Sequence, residues 1–187
     1  MNVITMMKKA GFKTFWITNQ QTLTHRNTML TAFAKLTDEP TFLNNNRRQS
    51  ANSYDEVVLK PFADALSDNA KRKLIVVHLI GTHFAYEYRY PDVFNIFSNQ
   101  QPLSSFATGE EPVQMYNDYD NAVRYNDNVV RQLIDSYRAK DPYGFLLYFA
   151  DHGEEVFDVR DFNGRDMSKP TIDMYDVPFI VWPAPRW

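Results

Sequence analysis

Followed along the chain, the hydrophobic and polar positions single out two apolar runs, Lys73-Leu74-Ile75-Val76-Val77-His78-Leu79-Ile80 and Gly144-Phe145-Leu146-Leu147-Tyr148-Phe149-Ala150. Each ends abruptly in a polar knot. Short apolar runs bounded by turn residues read as strands buried on both faces of a parallel sheet. Phe12 to Thr18, rich in aromatic and β-branched residues, and Val177 to Trp182, closed by prolines, read as two more strands. Between them the period changes to that of helices. Residues 2 to 10 form a short amphipathic helix ended by Gly11. A second helix runs from Ser53 or Tyr54 to Ala65 or Leu66, with Ser53 as N-cap, Glu56 at the capping-box position and a kink or break at Pro61. A third is marked by the stripe Met115, Tyr119, Val123, Tyr125, Val129, Val130, Leu133, Ile134 and Tyr137. Residues 38 to 53 lack a period and read as irregular surface. Phe84 to Pro112 reads as a long loop of the length found in binding surfaces and lids, and 157 to 169 as a disordered stretch.

The expected fold is therefore α/β, a three-layer sandwich with a largely parallel central sheet holding strands near 12–18, 73–80, 144–150 and 177–182. Because a parallel sheet is built from strand, helix, strand units, a chain opening on a crossover helix is expected to have lost the strand that fed it. N-terminal truncation follows as an expectation.

Composition narrows the class. The chain has 187 residues, 44% hydrophobic and 15% aromatic, enough for one α/β domain. A net charge of -3 with scattered basic residues gives no footprint for nucleic acid. The chain contains no cysteine, so no disulfide framework is available. Its longest apolar run is far shorter than the roughly 20 residues of a membrane helix. Lysines follow the first apolar residues, the reverse of a secretion signal, so export would depend on sequence outside these residues.

Candidate chemistry lies where the two apolar runs end. In open α/β sheets ligands bind outside the carboxyl ends of the strands. There the second run delivers Asp151-His152-Gly153-Glu154-Glu155, an oxygen and a nitrogen donor side by side, with a glycine that allows the backbone to bend. Zinc suits that pair; the competing reading is a helix start with Asp151 as N-cap and Glu154 in a capping box. The first run delivers Gly81-Thr82-His83, so the two histidines should meet in one crevice. His83 is either a ligand or phosphate contact, or a loop histidine. His78 reads as a core histidine satisfied by a neighbour. His25 and Arg26 sit in a polar loop after the first strand, and Asp118, Asp120 and Asp127 read as a solvated helix face.

Several segments together resemble the phosphoethanolamine transferases of the sulfatase and alkaline phosphatase superfamily: Trp16-Ile17-Thr18-Asn19-Gln20, His78 to His83 followed by Tyr88-Arg89-Tyr90-Pro91, Tyr119-Asp120-Asn121-Ala122, Asp151 to Glu155, and Val177-Pro178-Phe179. Glu154-Glu155-Val156-Phe157-Asp158 and the lack of cysteine are most similar to the CptA type, which decorates the heptose of the lipopolysaccharide core. The resemblance implies that residues 1–187 are the C-terminal part of one periplasmic catalytic domain. It also implies an inner-membrane enzyme of a Gram-negative bacterium, anchored by an absent N-terminal segment. Such enzymes move phosphoethanolamine from phosphatidylethanolamine to a lipopolysaccharide acceptor through a phosphothreonine, with zinc activating the threonine. Asp151 and His152 then match two zinc ligands, and His83 matches the histidine that contacts the phosphoryl group or a second zinc. Arg165, in Asn163-Gly164-Arg165, is a candidate phosphate contact where related enzymes carry a further histidine. The nucleophile and another metal-binding carboxylate would lie upstream, leaving this chain alone inactive. A sulfatase or phosphodiesterase of the same superfamily, and a non-catalytic interaction domain, are the alternatives.

Overall fold

β1 (Lys13–Thr18) is the middle strand of a three-stranded parallel sheet of order β2-β1-β3, with β2 at Glu39–Phe42 and β3 at Lys73–His78. The computed structural model describes residues 2–21, 28–46, 48, 50–102 and 104–187; His25 and Arg26 fall outside them. Alternation along β1 sorts the layers. Trp16 packs with Ile4 of α1 (Val3–Lys9), with Leu30, Phe33 and Ala34 of α2 (Thr28–Ala34), and with Val76. Phe15 and Ile17 face the other way, onto Phe62 and Ala65 of α3 (Leu59–Leu66) and Tyr125, Val129 and Leu133 of α4 (Glu110–Lys140). Helices thus cover both faces of the parallel sheet, in the expected α/β arrangement. Asn2 starts α1 by accepting the Thr5 amide at 2.9 Å, and Gly11, at φ +80°, ends it.

Several expectations are corrected. The run at 144–150 is β4 (Phe145–Phe149), and it pairs antiparallel with β7 (Phe179–Pro183) in a separate two-stranded sheet. Only one of its faces is covered. Leu146 and Trp182 pack onto the core and Tyr148 meets α4, whereas Phe145, Leu147 and Phe149 are 53%, 42% and 55% exposed. Continuous apolarity suits a strand covered on both sides, but α4 covers only one side, and no other described element packs on the outer face. Residues 39–42, read as irregular, form the edge strand β2. There Pro40 is tolerated because an edge strand can turn its amide position away from the ladder.

The helix assigned to 53–66 splits into a 3-10 turn at Asp55–Val58 and α3, so Pro61 lies in the first turns of α3, where its missing amide costs little. Ser53 is not the cap; it accepts from Asn44 at 3.1 Å. The stretch 157–169 is not loose. β5 (Glu155–Val156) pairs with β6 (Asn163–Gly164), Phe157 accepts a hydrogen bond from Ser104, and Arg160 lies 4.3 Å above the Phe162 ring.

α4 also organises the loop between β3 and itself. Asn121, fully buried, accepts the amides of Ile96 and Phe97 at 3.0 Å and donates to Phe97 O at 2.9 Å. Asn117 pairs the same way with Gln100, at 3.2 and 3.0 Å. Two amide side chains stand in for a strand partner, satisfying backbone groups that a loop leaves open. Asp118 belongs to this buried face and not to a solvated one: it accepts the Tyr90 hydroxyl at 2.5 Å and Gln114 at 3.0 Å. Asp127 is exposed as expected, whereas Val123, assigned to the apolar stripe, is 42% exposed. Among the described residues no helix is long and apolar enough to cross a membrane.

Candidate functional site

The chain leaves β3 through a tight turn in which the His83 amide donates to Ile80 O at 3.3 Å and Gly81 takes φ +58°, a backbone state that favours glycine. Two buried ionic side chains grip this turn. Asp55 accepts the amides of Ile80 and Gly81 at 3.0 and 2.7 Å and Asn19 Nδ2 at 2.9 Å. Arg89 donates Nε to His83 O and Nη2 to Phe84 O, both at 3.2 Å, and Nη1 to Ala51 O at 3.3 Å. His78, inside β3, is the satisfied core histidine expected of it, with Nδ1 3.2 Å from the Thr18 hydroxyl.

The chain leaves β4 at Asp151, which is open to solvent. No helix starts here; β5 follows, which removes the helix-cap reading of Asp151 and Glu154. Gly153 is required for close approach, not for a bend. Its amide donates to Met174 O at 3.0 Å, and a Cβ built on it would lie 1.9 Å from Asp173 O. His152 donates from Nδ1 to Gly153 O at 2.9 Å, which fixes the ring and leaves the Nε2 lone pair for a ligand. Glu154 accepts the Tyr86 hydroxyl, so the two loops are joined. Burial is the main cause that raises the Glu154 carboxyl above its usual range, and Tyr119 beside it is pushed up to about 12, again chiefly by burial. Glu155 is fully buried; its Oε1 accepts the Val159 amide at 2.8 Å.

The two loops also communicate through charge. Burial lowers the His83 pKa, and the neighbouring charges of Arg89, His152 and Asp151 act on the same ring. Asp151 is felt at His78 as well. Arg165 is exposed, donates to Met167 Sδ at 3.3 Å, and acts on the group through its charge at Glu154. Carboxylate and imidazole side by side are donors that zinc accepts, so Asp151 and His152 fit two positions of such a centre. Among the described residues no set of three or more His, Cys, Asp or Glu is arranged to hold a metal.

The roles of Asp55 and Arg89 are not visible in the sequence: Asp55 acts through contacts 25 to 36 residues away, and Arg89, noted there only within Tyr88-Arg89-Tyr90-Pro91, reaches back five and six residues to Phe84 and His83. The one available signal for Asp55 was an acidic residue opening a helical turn, and it was assigned to capping by its neighbours. Tyr86 was missed as well, as one aromatic in a loop full of them.

Comparison with known proteins gives the family. The sulfatase family profile matches residues 1–187. The chain is 50% identical to the phosphoethanolamine transferases EptC of Escherichia coli K12 and CptA of Salmonella typhimurium, over 100% of this chain and 33% of each relative. It thus spans about a third of the length of these curated relatives. It also superposes on the crystal structure of the C-terminal periplasmic domain of E. coli EptC in complex with Zn, with TM-score 0.94 and 50% identity, covering 100% of this chain and 53% of that one. With the family profile matched along its whole length, the chain belongs to the sulfatase family.

Proposed function

We propose that residues 1–187 are part of the periplasmic catalytic domain of a zinc-dependent phosphoethanolamine transferase. The enzyme takes phosphoethanolamine from phosphatidylethanolamine and places it on the lipopolysaccharide core. The observation that carries this reading is the junction of the two strand-end loops. His152 has its ring fixed through Nδ1 beside the open carboxylate of Asp151, and both act electrostatically on His83. Half identity to two phosphoethanolamine transferases favours transfer over the hydrolysis performed by other members of the superfamily.

In this reading Asp151 and His152 hold zinc through a carboxylate oxygen and Nε2. Bound zinc supplies Lewis-acid activation of a hydroxyl nucleophile and offsets phosphoryl charge. With its Nδ1–H committed to the Gly153 carbonyl, Nε2 is the ring nitrogen of His152 that would meet the metal. His83, whose pKa burial lowers from that of a free imidazole, offers a ring N–H to a phosphoryl oxygen. Arg165 meets the outer phosphate oxygens. The remaining carboxylate ligand, the threonine nucleophile and the inner-membrane anchor belong to sequence outside these residues, so the chain alone is inactive.

The test is a chimera in which this chain replaces the matching third of E. coli EptC, produced in an E. coli strain lacking that enzyme. Mass spectrometry of the lipopolysaccharide is expected to show phosphoethanolamine restored. A folded, membrane-inserted chimera that restores none, or that releases only free phosphoethanolamine, defeats the transferase reading.

A further inference from the structure

We propose that Asp55 and Arg89 are positioning residues that clamp the backbone of residues 80–84 from its two sides and thereby set the place of His83. The inference rests on the proposed function for the purpose of His83, and on the geometry alone for the clamp. Both side chains are all but inaccessible, with Arg89 1% and Asp55 2% exposed. Burying charge is costly, and apolar residues of equal volume commonly stabilise a core as well or better. What charged groups add is direction. The carboxylate faces the amide side of the turn, at Ile80 and Gly81, while the guanidinium fork faces its carbonyl side, at His83 and Phe84. Together they specify the backbone over five successive residues.

The clamp is fixed to the strand ends from which the site is built. Asn19, just past β1, donates to Asp55 through its side chain at 2.9 Å, while its own amide donates to His78 O at the end of β3 at 3.0 Å. Asn44, just past β2, donates to Asn19 O at 2.9 Å. The three carboxyl ends of the parallel sheet therefore share one hydrogen-bonded frame with Asp55.

The His83 ring has little hold of its own: its buried Nδ1 makes no well-formed hydrogen bond among the described residues, and the one backbone group that acts on the ring as a hydrogen-bond partner belongs to Phe84, which Arg89 itself holds. Its location is inherited from its backbone, and the backbone is what the clamp holds. A displacement of about 1 Å at a reacting group costs on the order of a hundredfold in rate.

A double-mutant cycle in the EptC chimera separates positioning from general stability. Asp55→Asn and Arg89→Lys, which keep shape or charge but lose the directed bonds, are expected to lower kcat between about tenfold and a hundredfold with little change in KM. In a His83→Ala background they should add nothing further, because the residue they act through is gone. Equal losses with and without His83, or full activity in both variants, overturn the proposal.

Nuclear magnetic resonance of the 187-residue chain decides the clamp independently of activity. Asp55→Asn should speed hydrogen exchange at Ile80 and Gly81, and each variant should move the His83 ring signals while leaving those of His78 in place. Unmoved His83 signals overturn the proposal. Should either variant fail to fold, Asn19→Ser, which frees one side of Asp55 and leaves both charges in place, is read by the same signals: moved His83 signals support the clamp and unmoved ones overturn it. An inactive chimera with a shifted His83 would count against the transferase reading and leave the clamp standing.

Discussion

Gly153→Ala should destabilise the chain by about 3 kcal/mol, the upper range for a methyl forced into packed surroundings. The added Cβ would sit 1.9 Å from Asp173 O and 3.1 Å from Asp176 O. Both are backbone atoms, so no side chain can rotate away. The turn at Ile172–Met174 must move, and with it the hydrogen bond from the Gly153 amide to Met174 O. Gly109→Ala makes a useful contrast, since φ there is +94° but nothing lies within 4 Å of the new Cβ. With ψ at 169°, this is backbone that glycine adopts almost alone, so the substitution should cost strain of about 1 to 3 kcal/mol and displace no neighbour. Urea unfolding of the three chains reads the difference, and a midpoint for Gly153→Ala equal to that of the parent would show that the turn yields freely.

The largest effect on activity is expected from Asp151→Ala and His152→Ala in the EptC chimera. On the proposed function each removes one of two zinc donors, and each should then abolish both bound zinc and phosphoethanolamine transfer. His83→Ala should behave differently, keeping its zinc and losing about a hundredfold to a thousandfold in rate, as when one group that stabilises developing charge is removed. Metal analysis beside lipopolysaccharide mass spectrometry distinguishes the two classes. An Asp151→Ala chimera with full zinc and full product would remove Asp151 from the metal site.

Much of this was visible in the pattern of residues. β1, β3, α1 and α4 follow from periodicity and from Gly11, because each buries its own apolar face against neighbours of ordinary kind. Asp151 and His152 were singled out as the end of a strand in an open parallel sheet, yet β4 lies in a separate antiparallel pair; what joins their loop to the end of β3 is the Tyr86 hydroxyl on Glu154, which the residue pattern does not show. Nor does it show the pairing of β4. Phe145, Leu147 and Phe149 are as apolar as Leu146 and Tyr148, so the sequence carries no alternation to tell the covered face from the open one. β2 was hidden by Pro40, which is acceptable only because the strand lies at an edge. Asp118 was read as a solvated helix position, since nothing local reveals that the loop from Tyr90 to Gln100 folds back onto it and onto Asn117 and Asn121. Gly153 was noticed for the wrong reason: the residue advertises conformational freedom, whereas its contact with Asp173 exists only in three dimensions.

Zinc titration by calorimetry decides whether, as proposed, this chain carries a partial metal site completed by sequence outside it. The isolated chain should bind zinc weakly and turn over no fluorescent phosphatidylethanolamine, because two donors fall short of the three or four that zinc sites use. The EptC chimera should bind tightly and transfer. Submicromolar zinc affinity together with turnover by the 187 residues alone would contradict the account, placing the nucleophile and the remaining ligands inside this chain.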